Sequence, residues 1–354
     1  MSSAALSIAA QGRAAAAPLT GWERLKLDRV AMISLAVLFL SALACFSVPT
    51  LMTNLDWIQK AGMSGWWGDT TVVSARNQPS SATYSPPGTV VTTEMGIVYK
   101  AWLGTDSSGR DVLYRVLSGG RVSLVVGLCA AAVSLFIGTL LGMTAGFYGG
   151  KVDSFLMRLV DVLYANPRVL FVLILISALT GPLSLWINDA RAAAEARNWM
   201  TVKAWVDGAI PYQRTIILIF CLGFIEWLTM ARIVRGQVLV LKEQQFIAAA
   251  RVLGQSQWKI MVRHLLPNLW TVILTYLTLT VPVVVLDESF LSFLGLGIEE
   301  PASSWGTLLK EGAGAVNPLI SRWWLLVTPA MAMGVTLLAL NFLGDALRDA
   351  FDVR

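Results

Sequence analysis

Long apolar runs separated by short basic or polar stretches dominate the pattern along this chain. A helix needs about 20 mostly apolar residues to cross the hydrocarbon core of a bilayer. Six stretches approach that requirement: 30–48, 121–147, 167–187, 215–231, 267–296 and 323–343. They predict an all-α membrane protein with six transmembrane helices and both termini on one side. The second stretch carries Gly127, Ala130, Ser134, Gly138 and Gly142, small residues that allow close helix packing in lipid. The third is interrupted at Gly181-Pro182.

The intervening segments divide the chain further. Residues 1–29 form an amino-terminal tail whose first 20 residues, rich in Ala, Ser and Gly, read as disordered. The 30–48 run starts too far into the chain for a secretory leader, whose apolar region spans about 7–15 residues near the start, and is expected to remain as an anchor. Residues 49–120 form an external region. Within it, 51–100 is expected to be irregular, with Trp57, Trp66 and Trp67 anchoring at the interface. Ser108-x-x-Asp111 reads as a capping box starting an amphipathic helix with Val112, Leu113, Val116 and Leu117 on one face. Residues 121–354 form the core; inside it, 183–213 is expected to hold a short polar helix at 189–197.

Composition agrees with this pattern: 56% of residues are hydrophobic and 14% charged, against about 25% charged in a soluble domain. The net charge of +5 would suit a nucleic-acid surface, but its location argues otherwise. Basic residues cluster in the tail (Arg13, Arg24, Lys26, Arg29), after the second span (Lys151, Arg158, Arg168) and after the fourth (Arg232, Arg235, Lys242, Arg251, Lys259, Arg263). Between Arg232 and Pro267 only Glu243 opposes six bases, an excess equal to that of the whole chain. Basic loops face the cytoplasm, so both termini are expected there and no nucleic-acid partner is implied.

Few enzyme chemistries fit. Cys45, Cys129 and Cys221 sit in apolar runs without short-spaced partners and read as small buried hydrophobes. The lone His264 reads as a packing or hydrogen-bonding residue. Gly149-Gly150-Lys151 continues into Val152 without phosphate-loop spacing, and no metalloprotease or serine-hydrolase motif is present. Ionisable groups within spans are costly and mark functional candidates: Glu226, expected to pair with Arg232, and Asp287 and Glu288, expected to face a translocation path or an aqueous opening.

The stretch from Gln245 to Asn268 is the most informative. Phe246–Leu253 reads as a helix ended by Gly254, since glycine tolerates the left-handed conformation at a helix C-terminus. A second helix, with Trp258, Met261 and Val262 on one face, then leads to Pro267, which is expected to open the fifth span. Such a basic-flanked helical hairpin suits docking on a soluble partner.

This hairpin resembles the loop of ABC importer permeases whose pattern is Glu-Ala-Ala, three residues, Gly, nine residues, Ile-x-Leu-Pro. Ala248-Ala249-Ala250, Gly254 and Leu266-Pro267 fall at that spacing, with Ala248 replacing the Glu and His264 the Ile. The ending His264-x-Leu266-Pro267-Asn268 is similar to the dipeptide and oligopeptide branch. So are Gly104–Leu113, Leu286–Gly297 followed by Ser304-Trp305-Gly306, and Leu343–Asp349. The resemblance implies the type I ABC importer permease fold and the C-type subunit of a peptide importer in the bacterial inner membrane. It implies a B-type permease partner, two cytoplasmic ATPases that use ATP and Mg, an extracytoplasmic solute-binding protein, surrounding membrane lipid, and no cofactor bound by this chain. The coupling loop would be 240–267, with Ala248, Ala249, Ala250, Arg251, Gly254, His264, Leu266 and Pro267 at the ATPase contact. Loss of the Glu removes a carboxylate expected to fix that contact. Nickel or another peptide-like solute is the alternative cargo. From other classes, an intramembrane enzyme would use Glu226 with Asp287, and an ion-coupled transporter would show internal repeats and broken helices; the sequence shows no convincing repeat.

Overall fold

A computed structural model describes residues 21–64, 75–77, 79–93, 96–299, 302–317 and 319–351. The expected disordered tail, Trp66, Trp67 and the side chain of Trp57 lie outside the described residues. In chain order the helices are α1 (Gly21–Leu27), α2 (Arg29–Ser64), α3 (Val112–Tyr148), α4 (Gly150–Tyr164), α5 (Arg168–Ala196), α6 (Met200–Ala209), α7 (Gln213–Leu241), α8 (Gln245–Val252), α9 (Gln257–Ile260), α10 (Leu266–Phe293), α11 (Trp305–Gly314) and α12 (Trp324–Phe351). Strands β1 (Thr89–Thr92) and β2 (Val98–Ala101) pair antiparallel before α3. Six helices among the described residues are long and apolar enough to cross a membrane: the first part of α2, then α3, α5, α7, α9 with α10, and α12. The chain is a multi-pass membrane protein.

Its centre is the packing of α3 on α7. Lipid tails are as apolar as leucine, so helices associate in a bilayer through close contact of small residues. A Cβ on Gly138 would stand 2.5 Å from that of Met230, one on Gly146 2.9 Å from that of Val238, and one on Gly223 2.8 Å from the Ala130 carbonyl oxygen. On another side of α3, a Cβ at Gly127 would lie 2.5 Å from Val285 of α10. Glycines thus seat α7 and α10 directly on the α3 backbone.

Several expectations are corrected. The first span does not stop at residue 48: α2 continues through Pro49 to Ser64, and the region taken as irregular also contains the hairpin β1–β2. The cap of α3 is Asp111, whose side chain accepts from the Leu113 and Tyr114 amides, and the helix it starts is the second span itself, running unbroken from Val112 to Tyr148. Gly181-Pro182 does not interrupt α5. The hydroxyls of Thr180 and Ser184 bond the carbonyls of Ile176 and Gly181 beside it, and membrane helices tolerate an internal proline. The short polar helix expected at 189–197 is instead the end of α5, packed on α6 and tied to it by Arg191–Asp207 (2.8 Å) and Lys203–Glu195 (2.9 Å). Cys45 and Cys221 are buried as expected, but Cys129 lies on the exposed face of α3.

The third span falls in α5, which starts at Arg168 as expected and runs on to Ala196, but a further helix precedes it. Helix α4 turns back along α7, pairing Asp153 with Arg235 and Asp161 with Arg232 and packing Val160 on Trp227, Leu228 and Ala231. After a break at Ala165–Pro167, α5 continues in the same direction, with Val172 and Ile176 against Ile217, Leu218, Cys221 and Leu222. α4 and the first half of α5 thus both lie along α7. The break arises because proline at 167 lacks an amide hydrogen and drives Asn166 out of helical geometry.

Gly138→Val is expected to destabilise the protein by about 1–3 kcal/mol through overpacking against Met230. Gly236→Ala, with nothing within 4 Å of the added methyl, is expected to be neutral or stabilising. Thermal unfolding of the two purified variants in detergent checks the difference, and equal melting points would exclude the glycine seam as a determinant.

Candidate functional site

The structure builds the expected hairpin from α8 and α9. Ile247 and Ala250 are buried against Ile260, Met261, Leu265, Phe147 and Val238, fastening α8 to the ends of α3, α7 and the fifth span. Gly254 takes the left-handed conformation, φ +68°, and the Gln255 amide bonds the Ala250 carbonyl at 3.1 Å. The Ser256 hydroxyl caps the following helix by accepting from the Lys259 amide. Across the turn, His264 Nε2 lies 2.9 Å from Gln255 Oε1, so His264 brackets the hairpin. Arg251 lies over the Phe147 ring at 5.8 Å.

The outer surface of the hairpin is apolar. Val252 is 87% and Leu253 77% exposed, and Phe246 and Trp258 are exposed beside them. Ala248 and Ala249 face outward as well, while Ala250 faces in. Two readings of this stretch are corrected. Trp258 and Val262 are exposed, away from buried Met261. Pro267 stands in the first turn of α10 as expected, but the helix is not new there: a π-helical turn, Met261–Leu265, joins α9 to α10, so that one helical stretch runs from hairpin to membrane.

A second constellation lies halfway along α7. Glu226 is thirteen residues from Gln213, about 20 Å along a helix about 43 Å long. It pairs with Arg168 at the start of α5, and the same guanidinium reaches Asp287 of α10. The expected Glu226–Arg232 pair does not form. Arg232 bonds Asp161 at 2.8 Å and covers the Tyr164 ring at 4.4 Å, both residues belonging to α4, which packs along this part of α7. Beside the broken helix is a cavity of about 240 Å³ lined by Tyr164, Asn166, Arg168, Phe171, Glu226 and Thr229.

Glu288 departs from both expectations for it. It has no exposed surface and accepts hydrogen bonds from Ser292 (2.7 Å), Ser123 (2.8 Å) and Ser289 (3.3 Å). One residue from Asp287, it points to the opposite side of α10, where it joins α3 to the turn preceding α11. Such satisfaction is what a buried polar group requires.

On the far side from the hairpin, a buried ion network closes the fold. Asp106 accepts from Arg115 at 2.6 Å and Arg110 at 2.7 Å, and Arg115 also grips Glu311 of α11 with both terminal nitrogens. Burial pushes the neighbouring Asp111 carboxyl above the usual carboxylate range, against the opposing pull of Arg76 and two backbone amides. Sequence reasoning singled out neither Arg168 nor Arg115. An arginine directly after Asn-Pro in an apolar run, and one inside a glycine-rich span, were the available signals.

Comparison with known proteins adds an independent finding. The family model described as binding-protein-dependent transport system inner membrane component matches residues 138–354. The oligopeptide transport system permease protein OppC of Escherichia coli strain K12 is 45% identical over 254 residues, covering 71% of this chain and 72% of the relative. The dipeptide transport system permease protein DppC of Bacillus subtilis is 35% identical over 331 residues, covering 94% and 84%. The glutathione transport system permease protein GsiD of Pectobacterium atrosepticum is 34% identical over 251 residues, covering 71% and 72%.

Removing one partner from a buried ion network leaves uncompensated charge and costs about 3–5 kcal/mol. Arg115→Leu is expected to approach the lower end, since Arg110 still reaches Asp106, and to speed proteolysis within 79–111. Limited proteolysis and thermal unfolding check this, and a wild-type digestion pattern would exclude the network as the clasp.

Proposed function

Because the chain belongs to the binding-protein-dependent transport system inner membrane component family, we propose that it is the C-type permease subunit of an ATP-driven peptide importer. The observation that carries the reading is the apolar hairpin tip formed by Val252, Leu253 and Trp258, backed by a buried α8 face and continuous with the fifth span. Exposed apolar surface of this kind marks a protein contact. Its partner is a cytoplasmic ATPase, one of two that hydrolyse ATP with Mg, while a B-type permease completes the pathway and a solute-binding protein delivers the cargo. In this arrangement both termini and the hairpin face the cytoplasm, in accord with the basic residues between Arg232 and Arg263.

The geometry gives the hairpin a mechanical role. Closure of the ATPases displaces α8, and its buried face transfers the movement to α9 and α10, while Lys242, which donates to the Gly146 carbonyl at 3.1 Å, ties the end of α7 to α3. The helices then move as a body from inward-open to outward-open, a rigid-body transition between packed states. The intramembrane-enzyme reading loses support because Glu226 and Asp287 are both engaged by Arg168. Among relatives the printed cargoes are oligopeptides, dipeptides and glutathione, and we assign this chain to peptides.

Reconstitution of the full complex in proteoliposomes tests the reading: uptake of a labelled oligopeptide should require ATP and the binding protein. Uptake by this chain alone, driven by an ion gradient, would overturn it. Gly254→Pro replaces a residue at φ +68° with one fixed near −65°. It is expected to abolish peptide-stimulated ATP hydrolysis while the spans stay folded, and unchanged uptake would contradict docking at the hairpin.

A further inference from the structure

We propose that the break between α4 and α5 forms a way-station on the translocation path, where the α-ammonium of a passing peptide takes Arg168's place on Glu226 and Asp287. This rests on the peptide reading above and names the group recognised.

Charge decides the ligand. Two carboxylates share one guanidinium, and among the described residues no other cation reaches either. The terminal dipoles of the broken helix do not change the balance: the carboxyl end of α4 at Tyr164 and the amino end of α5 at Arg168 meet at the break with opposite partial charges. With both carboxylates ionised the cluster holds one more negative than positive charge, in surroundings where electrostatic attraction is stronger than in water. A cation is favoured and an anion disfavoured.

Access and size narrow the choice. The Arg168 side chain is 40% exposed and that of Asp287 28%, whereas that of Glu226 is 9% exposed. A ligand thus meets the arginine and Asp287 first, and reaches Glu226 as the arginine withdraws. The cavity of about 240 Å³ is smaller than the roughly 300–1,000 Å³ of pockets that enclose whole small ligands, so it receives one end of a peptide. Asn166 and Thr229 on its wall can pair with the first peptide group, independent of side-chain identity. Arg168 is the first residue of α5, just after the break, and its side chain is the most exposed of the three.

The test uses the full transporter complex carrying Asn166→Cys in a Cys129→Ser background, Cys45 and Cys221 being buried. Thiol labelling at position 166 is followed while tetra-alanine, its N-acetyl form or its C-terminal amide is added without binding protein, and ATP-driven uptake of tetra-alanine with binding protein is measured in parallel. Free tetra-alanine and its amide should protect at concentrations about tenfold lower than the N-acetyl form, as expected for one charge-assisted hydrogen bond. Asp287→Asn or Glu226→Gln should erase that difference, and Asp287→Glu should retain it. Equal protection by all three forms, no protection by any, or a difference that survives both neutral variants would overturn the proposal. Sensitivity to amidation in place of acetylation would assign the site to the carboxylate end and overturn it as well. If uptake proceeds while protection fails, only this site is wrong; if the wild-type complex takes up no peptide, the peptide reading falls and the choice of ligand with it.

Discussion

The close contact of α3 with α7 is the constraint on which the rest of the molecule depends. Within a bilayer, burying an apolar side chain against another helix gains little over leaving it in lipid, so association needs backbone proximity. Gly138, Gly142 and Gly146 on α3 and Gly223 on α7 supply it by removing the atoms that would hold the helices apart. Once α7 is seated, α4 and α5 have a surface to return along, with Val160 on Trp227 and Ala231, and Val172 on Leu218 and Leu222. Val234 and Val238, lower on the same helix, help form the apolar socket that receives Ile247 of the hairpin. A disturbance of the seam therefore reaches both the broken helix and the hairpin.

Charge placement follows from the same low-dielectric setting. An isolated buried charge is costly, and the ionised groups of the core are paired or hydrogen-bonded in tiers along the long axis. Asp106, Arg110, Arg115 and Glu311 close one end, Arg168 joins Glu226 and Asp287 near the middle, and Asp153–Arg235 and Asp161–Arg232 hold α4 on α7 toward the hairpin. Arg115 is almost fully buried and Glu311 about a third exposed, which suits a permanent clasp. The Arg168 cluster is more open and sits where the helix is already broken, which suits a contact that is made and released. Glu288, fully buried, accepts hydrogen bonds from three serines and ties α10 to α3.

Local patterning made much of this legible in the sequence, because the requirements were local. The six apolar runs, the glycine and alanine spacing of the second span and the Gly254 stop of α8 each express a rule that acts over a few residues. The hairpin motif was legible for the same reason, including which position carries the left-handed turn. The errors have physical causes of equal clarity. Hydropathy found the third span in α5 but could not show that α4 lies along α7, since that placement rests on ion pairs between residues far apart in the chain. It could not place Trp258 either, because the side of α9 that is buried is set by packing of Ile260 and Met261 with Ile247 and Ala250 of α8.

The chain by itself determined the number of apolar helices, the hairpin and its conformational stop, and the set of costly charges, since these depend on composition and on neighbours within a turn or two. Tertiary structure alone decided which charges meet. Arg168, Glu226 and Asp287 are separated by 58 and 119 residues from the arginine, and nothing in their local sequence specifies the pairing. It exists because a proline break delivers the head of α5 to the middle of α7, and because the glycine seam brings α10 close enough for one guanidinium to reach both carboxylates.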